Sequence, residues 1–143
     1  MSSFYKIDKP IQCVPHAREL SGIPIYGDAY TWWGQADGKY AKGKVPQIGA
    51  VLVLSKTSRL KHGHLAVVNK ILDRRTIEVA HSNWGGSRDE RCVIYNHMPV
   101  KDVSANNDWS MLRFWNYPSK SFGSVYAASG FIYSPHPQRV VTE

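Results

Sequence analysis

Two segments, residues 64–71 and 76–83, run in β-branched and apolar residues on either side of Asp73-Arg74, and no other stretch constrains the fold as much. If Leu72 and Arg75 flank a two-residue turn, the register follows: His64 opposite Asn83, Ala66 opposite His81, Val68 opposite Val79. Opposed residues share a face, with Cβ atoms about 4.5–5.5 Å apart. That face carries Ile77, Val79 and Val68 near the turn and gathers His64, His81 and Asn83 at its open end. A one-residue slip would move the whole apolar set to the other side.

Around this hairpin the pattern predicts helices first and strands after. A helix is expected over 13–20, because Pro15 is tolerated only in a first turn and Gly22 with Pro24 stops it. A second is expected over 28–36, with Asp28 as N-cap and Gly38 beyond its end. Strands are expected at 50–54, 64–71, 76–83, 91–96 and 111–116, with a short last one at 130–133. Residues 1–10 read as an irregular lead-in, 39–47 as a basic connection and 55–63 as a polar loop. The order indicates a single α+β domain over 1–143, with its core at about residues 11–134.

Cys13 starts the first predicted helix. A cysteine at a helix N-terminus, a histidine opening a strand and an amide on the next strand are the parts of a cysteine hydrolase. The nucleophile of such an enzyme is a thiolate, which a helix N-terminus and a neighbouring imidazole both favour. A helix packed on the His64 face of the hairpin would bring the sulfur to that ring.

Composition narrows the rest. Two cysteines in 143 residues make no disulfide framework, so stability rests on packing, and five tryptophans and eight tyrosines supply large surfaces for it. No apolar run has the length of a membrane span, and the start of the chain lacks the pattern of a signal peptide. A net charge of +7, scattered along the sequence, favours a polyanionic partner.

Five segments, in order, carry a resemblance: Gln12-Cys13-Val14; Gly27-Asp28-Ala29 leading to Trp32-Trp33; Pro46-Gln47-Ile48-Gly49-Ala50-Val51; Gly63-His64-Leu65-Ala66-Val67-Val68; and His81-Ser82-Asn83-Trp84. Over about residues 10–117 the chain resembles the CHAP domain, a family of cysteine- and histidine-dependent amidohydrolases and peptidases. The resemblance implies a papain-like α+β fold, N-terminal helices packed on a mostly antiparallel sheet. It implies cleavage of an amide bond in bacterial peptidoglycan, as an N-acetylmuramoyl-L-alanine amidase or a cross-link endopeptidase, with no metal or organic cofactor. Cys13 would be the nucleophile, His64 the base, and Asn83 the residue that orients the imidazole. The oxyanion hole would come from Cys13 and Gln12, and Trp33, Trp84 and His62 would wall the groove. His81 stands where many members carry Glu, so its position beside the histidine is second in line for the orienting role. Action on peptidoglycan implies the bacterial envelope, reached by another export route or after loss of a leader. The sequence identifies no inhibitor or immunity partner, and phage lysin, secreted effector and housekeeping wall enzyme all fit.

Other readings stay open at this point. His62, His64 and His81 with Cys13 could hold zinc. Cys13 could pair with Cys92. The fold could serve an amidase acting on a small peptide conjugate or a protein. It could also be a non-catalytic basic module for wall polymer or nucleic acid, although no nucleic-acid-binding motif accompanies the charge.

Overall fold

The computed structural model describes residues 4–6, 12–85 and 93–135. In chain order it contains β1 (Phe4–Lys6), α1 (Cys13–Ser21), a 3-10 turn (Ala29–Thr31) running into α2 (Trp32–Gln35), β2 (Lys42–Gly43), β3 (Val51–Leu54), β4 (His64–Ile71), β5 (Thr76–Ser82), β6 (Val93–Asp102), β7 (Met111–Asn116) and β8 (Ser121–Ile132). Helix α1 begins where Pro15 requires. Gln12 is its extended N-cap residue, and Gly22, at φ 72°, ends it by donating its N–H to the carbonyl of Arg18. The second predicted helix is real but shorter and split, part 3-10 and part α.

The expected papain-like α+β fold, N-terminal helices packed on a mostly antiparallel sheet, is overturned. The described chain is mostly β. Strands β3, β4, β5, β6, β7 and β8 pair antiparallel in a cycle and close a six-stranded barrel, with only two short α-helices outside it among the described residues. The closing element is β8. Residues 121–127 pair with β7, and 128–132 pair with β3, as in Leu52↔Phe131 and Val51↔Ile132. The sequence pattern shows only 130–133 of this strand, because serine, glycine and alanine break its apolar run. Gly130 pairs with Val53, beside the register shift in the β3–β8 pairing. At φ 143° an added Cβ would lie 2.7 Å from the ring of Trp33 and 2.8 Å from the carbonyl of Gly43. Two short strands extend the sheet beyond the cycle, β1 on β6 and β2 on β8.

The hairpin register matches expectation at Val68↔Val79 and at Val67↔Ala80, but not near the turn. There the pairs become Lys70↔Glu78 and Ile71↔Ile77, and a bulge at Asn69 absorbs the difference. The loop is also wider than two residues, since Leu72 and Asp73 both donate N–H to the carbonyl of Thr76. Buried Asn69 satisfies part of the bulge by donating from Nδ2 to the carbonyl of Asn96, 2.8 Å away.

Two apolar clusters sit on opposite faces of β3 and β4, which is why both strands read as unbroken apolar runs. Leu52, Leu54, Ala66 and Val68 face the barrel interior with Val79, Met98, Leu112, Phe114 and Phe131. Val51, Val53, Leu65 and Val67 face outward, covered by Ala17 of α1, Ile23, Ile25, Ala29 and Trp32. Helix α1 therefore packs on the face opposite the one expected from the hairpin. His64 and His81 point with the interior set, whereas the helix lies on the Leu65 side.

Candidate active site

Cys13 reaches the end of β4 from the outside, and His64 reaches it from within the barrel. They meet at a cavity of about 720 Å³, whose walls also include Gln12, Val14, Asn83 and Trp84. The loop before β4 supplies the opposite rim with Arg59, Lys61 and His62, and Asp28 faces it. Gly63 admits that loop: at φ 70°, an added Cβ would sit 2.7 Å from the carbonyl of Leu54 and 2.9 Å from the amide of Tyr30. The same approach lets Tyr30 donate its N–H to the carbonyl of His62 at 3.0 Å.

The thiol is half-buried and free of any disulfide. Cys92 lies outside the described residues. Burial pushes the Cys13 pKa above its ordinary value, and backbone hydrogen bonding from Leu65, from Cys13 itself and from Val14 pulls the other way without cancelling it. The expected stabilised thiolate is thus outweighed by desolvation. His64 is 3% exposed, and burial lowers its pKa to about 3. Both groups are neutral at neutral pH, and among the described residues no hydrogen bond joins them.

The contact to the imidazole belongs to His81, not to Asn83. His64 Nε2 lies 2.9 Å from His81 Nδ1, and Trp84 covers the His64 ring with centroids 4.7 Å apart. Asn83 turns elsewhere: its Nδ2 donates to Oε1 of Gln12 at 3.3 Å, its Oδ1 is buried without a partner, and its backbone is left-handed at φ 58°. Burial, with the charge of His64 and of His16 adding to it, holds His81 well below the usual histidine range.

Of the expected groove walls, Trp84 and His62 line the cavity. Trp33 does not; its ring lies against Gly130, with Lys42 Nζ 4.4 Å from the centroid. His62 instead faces Asp28 at 3.3 Å on the rim. The zinc alternative lacks its geometry, since no three side chains of metal-binding type converge among the described residues. No helix among them is long and apolar enough to cross a membrane. Sequence reasoning missed the Leu65 amide and Met98. The first follows from its place beside His64, whereas nothing in the sequence around Met98 distinguishes it from core.

No curated protein matches the chain. A family model does, that of the CHAP domain, over residues 4–83, more than half of the chain and including Cys13, His64, His81 and Asn83. Members of that family are in general hydrolytic, as amidohydrolases or peptidases. With that match over more than half of its length, the chain belongs to the CHAP domain family.

Proposed function

We propose that this protein hydrolyses an amide bond of bacterial peptidoglycan, with Cys13 as nucleophile and His64 as base. The observation that carries the reading is one open cavity shared by a thiol, an imidazole and two side-chain amides, Gln12 and Asn83. His81 occupies Nε2 of His64, so Nδ1 is the nitrogen left to exchange a proton.

Because both groups rest neutral, the reaction begins by general-base transfer rather than from a preformed ion pair. As sulfur attacks the carbonyl carbon, the thiol proton passes to Nδ1 of His64. The contact needed for this tightens when substrate fills the cavity. The tetrahedral oxyanion is met by the backbone N–H of Cys13 and the side-chain amide of Gln12, held by Asn83. Collapse expels the amine, which takes the proton from His64, and leaves a thioester on Cys13. His64 then draws a proton from water as it attacks the thioester, and the thiol is regenerated.

Arg59 and Lys61 on the rim suit a substrate that carries carboxylates, as stem peptides do. The net charge of +7 favours an anionic wall more generally. With peptidoglycan as substrate, the site of action is the bacterial envelope. Defined muropeptides, digested and analysed by mass spectrometry, test the reading. A new amine and carboxylate at one amide bond, absent with Cys13→Ala, is expected. Glycan cleavage, or no product from the wild type, would count against it.

A further inference from the structure

His81 uses both ring nitrogens, and the second contact decides the first. Its Nδ1 lies 2.9 Å from His64 Nε2, and its Nε2 lies 3.1 Å from the sulfur of Met98. The two rings are 3% and 1% exposed, and Met98 is 1% exposed, so bulk water does not rearrange these contacts. A thioether has no hydrogen to give and can only accept. The hydrogen of the Met98 contact therefore sits on His81 Nε2.

A neutral imidazole carries a single N–H. His81 Nδ1 is then bare, and the hydrogen between the rings belongs to His64 Nε2. By the same count, His64 Nδ1 is left with a lone pair and no hydrogen. The reverse arrangement would set the lone pair of His81 Nε2 against the sulfur lone pairs at 3.1 Å.

We propose that Met98, acting through His81, fixes His64 in the tautomer whose Nδ1 is free to accept the thiol proton. The inference rests on the reading of Cys13 and His64 as the reacting pair. Met98 and His81 are positioning residues, and neither lines the cavity. A carboxylate at position 81 would also accept from Nε2, but its charge would favour imidazolium. The thioether and imidazole fix the ring without charge, which suits a buried site. In the other tautomer His64 would present N–H to the thiol and could not serve as base.

Nitrogen NMR of the full chain labelled in histidine reads the tautomers directly. In the wild type, Nδ1 of both rings should give the bare, pyridine-type signal and Nε2 the protonated one. Met98→Leu keeps volume and removes the acceptor. It should populate Nδ1–H on His64 and lower kcat about 2- to 10-fold with KM unchanged. In a His81→Glu background the carboxylate can only accept from His64 Nε2 and leaves no tautomer to set. There Met98→Leu should leave kcat unchanged. An equal loss in both backgrounds, or wild-type spectra with N–H on His64 Nδ1, would overturn the proposal. Cys13→Ala separates the two readings: it should be inactive yet keep the wild-type nitrogen signals. An active Cys13→Ala would refute the reaction and leave the tautomer result standing.

Discussion

Asn83 Nδ2 donates to Oε1 of Gln12 across 3.3 Å, tying the turn after β5 to the residue that precedes the nucleophile. Gln12 Oε1 is thereby used, and its NH₂ group is left to face an oxyanion. Replacing Gln12 by Ala should lower kcat about 10²-fold, the usual effect of losing one oxyanion donor. Asn83→Ala should cost about tenfold in kcat, since it removes the partner and not the donor. Asn83→Gly separates fold from function, because Asn83 sits at φ 58°. It should lose activity like Asn83→Ala while unfolding about 1 kcal/mol later than that variant. Steady-state kinetics beside urea titrations check both.

Cys13 should react slowly with iodoacetamide at neutral pH. Burial holds its pKa above the ordinary value, so the alkylation rate of free protein should still be rising at pH 9. His64 stays neutral down to about pH 3. The kcat/KM profile should therefore lack an imidazole limb near pH 6.5. A thiol fully reactive at pH 5 would contradict the neutral pair.

Acid should unfold the protein through its buried histidines. Unfolded histidine takes up a proton as pH falls through about 6.5, whereas folded His64 does so only near 3. Over that window the unfolded chain binds more protons, so stability falls as the pH drops, on the order of 1 kcal/mol per pH unit. His81 and His16 are shifted in the same direction and steepen the loss. Thermal melts from pH 7 to pH 4 should drop steadily, and less so in His81→Asn.

Gly130→Ala should weaken barrel closure. The new Cβ would meet Trp33 and a backbone carbonyl at a positive φ, and neither neighbour is a flexible side-chain end. A loss of about 2–4 kcal/mol is expected in denaturant titration. Trp33→Ala in the same chain should recover part of it by opening space.

The hairpin, helix α1 and the cluster at the end of β4 could be read from residues because each has a local signal: Pro15 near a helix start, β-branched runs, a histidine at a strand end. What failed depended on distant partners. Leu65 and Val67 are as apolar as Ala66 and Val68, so the alternation could not say which side of the sheet α1 covers. The barrel depends on β8, whose small residues hide a strand that pairs with two neighbours. His81 and Asn83 both stand beside the imidazole in the expected register, and what separates their partners is that Asn83 lies past the end of β5 at φ 58° and turns to Gln12, whereas His81 reaches His64.

Purified sacculi digested by wild type, Cys13→Ala and His64→Ala address the chemistry most directly. Soluble muropeptides should appear with the wild type and fall at least about 10³-fold with either substitution, both proteins remaining folded by circular dichroism. Undiminished release by folded Cys13→Ala would mean that the sulfur does not carry the reaction.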